Sequence, residues 1–274
     1  MRYDWSKGPT RWIEDRTLFV SVPFTWNLPQ LKMELQARDF QYDKVRVGGP
    51  AVNLMPHFFD GMEHVQAGGD YPGALQRINP AATRTTTGCI RRCSFCAVPI
   101  TEGAFVELAD WPDLPIVCDN NLLAASQAHF DRVCDRLEKH SGVDFNQGLD
   151  ARILTEYHAE RLARIPRAIV RLALDNSANL QSWFETWQLL RRHGISKRHI
   201  RTYVLVGFKV CPADAWARCE LVTKLGGYAL PQWYHPLGAM EWNAVLADHI
   251  ECGWNRTEQD RIMRYYYQHS GTPL

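Results

Sequence analysis

The sequence predicts an α/β protein: a parallel sheet curled into a partial (β/α)6 TIM-like barrel, with a small N-terminal β-α-β extension. Three observations predict it. From Thr83 to Tyr234, short apolar or β-branched runs alternate with amphipathic stretches of helix length, the rhythm of consecutive β-α units. Each apolar run ends in polar residues or glycine, as strands do where their C-terminal ends open on a site. The 274 residues are 46% hydrophobic and 22% charged, which is enough apolar material for a sizeable core and excludes global disorder.

The elements follow in order. Leu18–Pro23 and Lys44–Val47 read as strands around a helix at Pro29–Arg38, a β-α-β unit that ends in Gly48-Gly49-Pro50. Thr83–Thr87 is β-branched and leads into a cysteine-rich loop. Leu114–Cys118 is a strand candidate ending in Asp119-Asn120-Asn121. Leu122–Lys139 has helical periodicity, with Phe130, Val133, Cys134 and Leu137 on one face. Val143–Asn146 is a strand ending in Gln147-Gly148-Leu149-Asp150-Ala151-Arg152, and Thr155–Ile165 is a helix. Ala168–Leu174 is a strand ending in Asp175-Asn176-Ser177. Leu180–Arg192 is a helix with Trp183, Phe184 and Trp187 turned inward. Arg201–Val206 is a strand ending in Gly207. Pro212–Leu225 has Pro in its first turn and Gly226-Gly227 at its end, the usual helix punctuation. Tyr228–Tyr234 is a last strand, weakened by Pro231. The expected division is an N-terminal extension over 1–80, a barrel over 81–237 and a helical closure over 238–274.

Thirty-one basic and thirty acidic residues give a formal net charge of +1, so no whole-protein field recruits nucleic acid or membrane. No run reaches 18 apolar residues and Met1–Arg16 has no apolar core, so neither a membrane span nor a secretory signal is expected. The expected localisation is cytoplasmic, where clustered cysteines indicate metal or catalysis rather than disulfides.

The eight cysteines are unevenly placed. None precedes Cys89, and then Cys89, Cys93 and Cys96 fall within eight residues. Three thiols on one short loop can converge on one inorganic centre. No fourth cysteine or histidine lies in the loop, and three protein ligands with an open position suit catalysis better than structure. A zinc or ferredoxin-like site is the alternative.

The triplet C-x3-C-x-aromatic-C, after a short strand and Gly88, resembles the cluster loop of radical S-adenosylmethionine enzymes. The resemblance implies that Cys89, Cys93 and Cys96 hold three irons of a 4Fe–4S cluster and that Phe95 packs near the adenine of S-adenosylmethionine. It implies an external reductant of the flavodoxin or ferredoxin type. An electron from the cluster would cleave the cofactor to a 5′-deoxyadenosyl radical, which takes hydrogen from a substrate. The strand-end rule nominates Asp119, Asn120, Asn121, Gln147, Asp150, Arg152, Asp175, Asn176, Ser177, Gly207 and Gln232 as lining the mouth. In the family the segment after the second strand meets the methionine amino group through a Gly-Gly-Glu-like stretch. Here Asp119-Asn120-Asn121 stands in that place, and Asp175, Asn176 and Ser177 stand where ribose or carboxylate contacts fall. Helix caps and turns are the alternative role for each.

Asp144–Arg152 also resembles a segment of compact bacterial and phage relatives of radical enzymes with a cobalamin-type domain. The first eighty residues look like a truncated form of that domain, although no Asp-x-His-x-x-Gly occurs and Gly48-Gly49-Pro50 alone is more often a turn. A structural lid or substrate platform is the plainer reading. Cys93–Pro99 is similar to the cluster loop of methylthiotransferases. That family uses three further cysteines nearer the N-terminus, and this chain has none there. Cys211, Cys219 and Cys252 could hold a second cluster, but Cys219 falls on a helix face beside Trp216 and Val222, as a packing cysteine would.

Arg191, Arg192, His193, Lys197, Arg198, His199 and Arg201 crowd into eleven positions. The register puts this run at the far end of the barrel from the chemistry, as a solvated loop rather than a phosphate patch. Trp242, Trp254, Arg256, Arg261, Arg264, Tyr265, Tyr266 and Tyr267 either form a stacking surface for bases or a helix closing the barrel. The sequence thus points to a radical enzyme acting on a nucleobase or modified nucleotide, with a rearrangement or other redox-neutral outcome. An amino acid or peptide is the rival substrate. An iron–sulfur carrier or a zinc-binding module is the rival class.

Overall fold

A computed structural model describes residues 5, 8–37, 42–69 and 71–269. The chain divides into two compact units that are not contiguous in sequence. The first takes the residues up to Ala82 with Arg92–Gly103 and His235–Ala244, and the second takes Thr83–Arg91, Ala104–Tyr234 and the residues from Val245 onward.

The first unit is built on a four-stranded sheet in the order β1 (Thr10–Glu14), β2 (Thr17–Ser21), β3 (Lys44–Gly48), β4 (Val65–Ala67). β1 and β2 form an antiparallel hairpin, while β2, β3 and β4 are parallel. Between β2 and β3 runs α1 (Leu28–Ala37), and β3 passes into α2 (Pro50–Leu54). The predicted β-α-β is therefore present, extended by β1 and β4. Its core is Leu18, Val20, Val45 and Val47 from alternate strand positions, packed on Leu28, Leu31, Leu35, Ala51 and Val52. Gly48-Gly49 acts as a packing turn. A Cβ on Gly48 would lie 2.4 Å from the Gly69 carbonyl, and Gly49 adopts φ +95° with Val22 backbone atoms 2.9 Å from where its Cβ would be. The short α3 (Ala74–Ile78) and α4 (Val98–Thr101) complete this unit.

The second unit carries the β-α rhythm. Its strands are β5 (Ala82–Thr83), β8 (Ile116–Val117), β9 (Asp144–Phe145), β10 (Val170–Leu174), β11 (Ile200–Val206) and β12 (Tyr228–Trp233). They form two three-stranded sheets, β5-β8-β9 and β10-β11-β12. β8–β9, β10–β11 and β11–β12 are parallel. Parallel bridges Asp144–Ile169 and Leu149–Leu172 continue β9 into β10. Six strands thus follow one another in chain order, interleaved with α5 (Gln127–Leu137), α6 (Glu156–Arg164), α7 (Leu180–Arg192) and α8 (Pro212–Lys224). Among the described residues nothing pairs β12 with β5, so the arrangement is an open, barrel-like α/β fold and not a closed barrel. Among the described residues β12 pairs only with β11, as an edge strand, which is why Pro231 is accommodated.

Three differences from the sequence reading have local causes. The Thr83–Thr87 stretch is not one strand. It breaks after Thr83, and β6 (Thr86–Thr87) pairs instead with β7 (Val106–Glu107) in an antiparallel ladder. The helix expected from Leu122 starts at Gln127, because Leu122–Ala124 forms a separate 3₁₀ turn and Ser126 caps the helix by accepting from His129 N at 3.3 Å. Phe130, Val133, Cys134 and Leu137 are buried as the periodicity predicts. Of the three aromatics expected inward on α7, Trp183 and Trp187 are buried and Phe184 is only partly so.

The C-terminal segment forms α9 (Ala247–Glu251) and α10 (Arg256–His269). Trp254 and Tyr266 are buried in the core of this unit, and the Tyr267 hydroxyl reaches Gln232 and the Pro231 carbonyl on the edge strand. These three residues pack on the second unit. Cys219 is buried in the same core, while Cys211 is exposed, so this set does not present three accessible thiols. No helix among the described residues is long and apolar enough to cross a membrane.

Candidate functional site

The two faces of the second unit's sheet differ in chemistry. In β11 the side chains of Ile200, Thr202, Val204 and Val206 are buried, whereas Arg201, Tyr203 and Leu205 between them are half-exposed. The first set joins the core under α5–α8. Parallel sheets are ordinarily apolar on both faces. Here the second face carries Asp144, Arg171, Arg201, Tyr203 and Tyr228. Arg171 binds Asp144 through two bonds of 2.6 Å and reaches the Tyr203 hydroxyl at 2.8 Å, and that hydroxyl donates to the Asn146 carbonyl at 2.6 Å. The sequence reading missed this network. Its signal was present: Arg171 and Arg201 interrupt apolar strands at the period-2 positions that share a face.

At the C-terminal strand ends, Asp119 follows β8 and is buried. One of its oxygens accepts from Thr85 N at 2.6 Å and Thr86 N at 3.0 Å, and the other from the Thr85 hydroxyl. Burial pushes this carboxyl up, against those hydrogen bonds. Its carboxylate is directed to the backbone that enters the cysteine loop and holds it in place. Asn121, also buried, points its amide nitrogen at Cys89 Sγ, 3.7 Å away, and Arg91 N donates to the same sulfur at 3.3 Å. Asn120 is half-buried beside them.

Asp150 ties the loop down. Its carboxylate receives Arg91 Nε at 2.9 Å and Arg152 Nε at 2.7 Å, with Arg152 Nη2 at 3.0 Å and the Arg152 amide at 3.1 Å. Burial pushes the Asp150 carboxyl up, but hydrogen bonds from Arg152 and Arg91 outweigh it and leave it below the usual carboxylate range. Asp175, at the end of β10, goes the other way: burial pushes it up, against Arg152 and Arg218. Two strand-end carboxyls are thus shifted in opposite directions, Asp150 down and Asp175 up. Gln147 is exposed, as are Asn176 and Ser177, and the Ser177 hydroxyl donates to Asp214. Gly207 has φ +86°, with Trp233 and His249 3.0–3.2 Å from where a Cβ would be, so packing accounts for it. Gln232 donates to the Tyr267 hydroxyl at 2.8 Å.

In the first unit, Cys93 and Cys96 are half-buried and Cys96 N donates to Cys93 O at 3.0 Å, a tight turn ahead of α4. Phe95 is half-buried in that turn. The boundary between the units falls inside the loop, between Arg91 and Arg92. All three cysteines are half-buried and none is in a disulfide. Among the described residues no three His, Cys, Asp or Glu side chains stand together as a metal site. The fit to an iron–sulfur cluster therefore rests on the donor set, three thiols within eight residues, with N–H groups directed at the Cys89 sulfur. Such donors stabilise a thiolate.

The basic run is partly engaged. Arg191 donates to the Ile195 carbonyl at 2.6 Å, and His193 pairs with Glu156. Arg191 and Arg192 line a hollow of about 420 Å³ with Phe184, Trp187, Gln188 and Leu225, on the helix layer.

No model of a known family matches the sequence, and no curated protein matches it. Among solved structures, the chain is similar to the radical S-adenosylmethionine methyltransferase TsrM from Kitasatospora setae, solved with cobalamin and a [4Fe-4S] cluster bound. Sequence identity is 12%, the TM-score is 0.52, and the match covers 81% of this chain and 63% of that one. The chain therefore spans under two thirds of that protein's length. The likeness is one of fold: this chain shares its architecture with a radical S-adenosylmethionine enzyme.

Proposed function

We propose that the protein is a radical S-adenosylmethionine enzyme that modifies a nucleobase or nucleotide. The observation that carries this reading is the anchoring of the Cys89 segment to the C-terminal strand ends. Arg91 is bound to Asp150, and its amide, with the Asn121 side chain, is turned toward Cys89 Sγ. A loop serving only as a linker needs neither. In this reading Cys89, Cys93 and Cys96 hold a 4Fe–4S cluster. When bound and reduced by an external flavodoxin- or ferredoxin-type donor, the cluster and S-adenosylmethionine together supply a hydrogen-abstracting radical. The protein's residues do the rest. Asp119 fixes the strand that delivers the loop, and Asp150 fixes the loop itself. Asn120, Asn121, Arg152 and Asp175 offer donors and acceptors at the strand ends for the polar groups of the cofactor, with Phe95 as its apolar neighbour.

The nucleotide assignment is supported by Arg201, Tyr203 and Tyr228, half-buried together on the sheet's polar face, which suit a planar, anionic molecule. The test is anaerobic reconstitution with iron and sulfide counted, followed by turnover with nucleosides, oligonucleotides and peptides. About four irons per chain, lost in Cys89→Ala, Cys93→Ala and Cys96→Ala but not in Cys211→Ala, is the expected result. Zinc in place of iron would overturn the class, and stimulation by peptides alone would overturn the substrate.

A further inference from the structure

Arg201 stands on the polar face of the sheet between two register neighbours, Arg171 on β10 and Tyr228 on β12. Strands lie about 4.8 Å apart, so the two arginines are side by side. Their circumstances differ. Arg171 uses Nε, Nη1 and Nη2: two on the Asp144 carboxylate and one on the Tyr203 hydroxyl. Asp144 is thereby committed. Arg201 is half-buried and makes no hydrogen bond or ion pair with the described residues. Burial first, and the Arg171 charge next, press on its charged form, against Asp144, Tyr203 and Tyr228.

Like charges directly opposite on neighbouring strands destabilise a sheet. A half-buried cation whose neighbouring carboxylate, Asp144, is engaged elsewhere costs more again. A ligand anion would remove both penalties. We propose that Arg201 is an anion-binding residue and that an oxyanion of the substrate, a phosphate or a carboxylate, docks on its guanidinium beside Tyr228. As a statement about substrate this rests on reading the polar face as the reaction cleft; as a statement about binding it does not. Arg201 is five residues before Val206, about 16 Å down the strand from its C-terminal end. The anion would therefore hold the end of the molecule remote from the strand-end chemistry.

The inference makes two linked demands on the ligand-free, full-length chain. Replacing Arg201 by Gln should leave the melting temperature equal to or above that of the wild type, because a strained charge is removed. The same change should weaken anion binding by about tenfold or more. Calorimetry at constant ionic strength, with inorganic phosphate, a nucleoside monophosphate, its parent nucleoside and acetate as probes, reads the second demand. Preference for the monophosphate over acetate identifies a phosphate ester, and the reverse identifies a carboxylate; either supports the site. Arg171→Gln is the contrast: it strands Asp144 and should lower the melting temperature. Anion affinity in the wild type no greater than in Arg201→Gln would overturn the inference, as would a melting temperature for Arg201→Gln well below the wild type. The measurement needs neither iron nor S-adenosylmethionine, so its failure is separable from failure of the cofactor reading.

Discussion

Asp150 joins the chemistry of single side chains to the geometry of the loop. Its carboxylate takes Arg91 from the cysteine loop and Arg152 from its own turn. Both arginines are about a third exposed, which weakens the pairs through solvent screening, while Asp150 is only 7% exposed. Replacing Asp150 by Ala should cost about 2 kcal/mol. That corresponds to a fall in Tm of about 4–8 °C by thermal melting, with iron retention reduced as well. A melt unchanged within error would show that the anchor carries no energy. Asp175 supports a pH prediction of opposite sign. Its folded-state pKa is raised, so its contribution is full at low pH and is lost as pH rises through that value. Asp175→Asn should therefore gain stability relative to the wild type as pH climbs from about 4 to 7, and a constant difference across that range would refute the assignment. Asp119 shows why site residues are hard to sort from sequence. A strand-end aspartate before two asparagines reads as a ligand. Its oxygens accept from Thr85 and Thr86, and sequence does not reveal which backbone amides lack partners.

At the scale of elements, the β-α alternation was legible because each unit carries its own punctuation. Thr155 before α6, Pro212 at the start of α8 and Gly226 after it mark ends within a residue or two of those observed. The short strands were less legible. β5, β8 and β9 have two residues each, and tertiary pairing decides where such strands stop. The polar face was missed because apolar runs invite burial on both faces, and Arg171 and Arg201 look like interruptions until their shared face is seen. One helix–strand joint can be tested directly. Arg218 on α8 is buried, donating to the Leu174 carbonyl at 2.8 Å and Asp214 at 2.8 Å. Arg218→Ala removes the donor to the Leu174 carbonyl and the arginine partner of Asp214, and should destabilise the unit by about 2–3 kcal/mol. Denaturant unfolding reads this, and a loss below about 1 kcal/mol would mean that the joint is replaceable.

At the scale of the whole molecule, the chain builds two units from interleaved segments, and the cysteine loop passes from one to the other between Arg91 and Arg92. Cys93 and Cys96 fall in the first and Cys89 in the second. The fold is shared with a radical S-adenosylmethionine enzyme at 12% identity, so architecture alone leaves the chemistry to the loop and its anchors. The most direct test is the release of 5′-deoxyadenosine from S-adenosylmethionine by the reconstituted, dithionite-reduced protein under anaerobic conditions. The account predicts release that disappears in Cys93→Ala. A protein that carries its full iron and sulfide yet never cleaves S-adenosylmethionine would contradict it, and would return this fold to the class of iron–sulfur carriers.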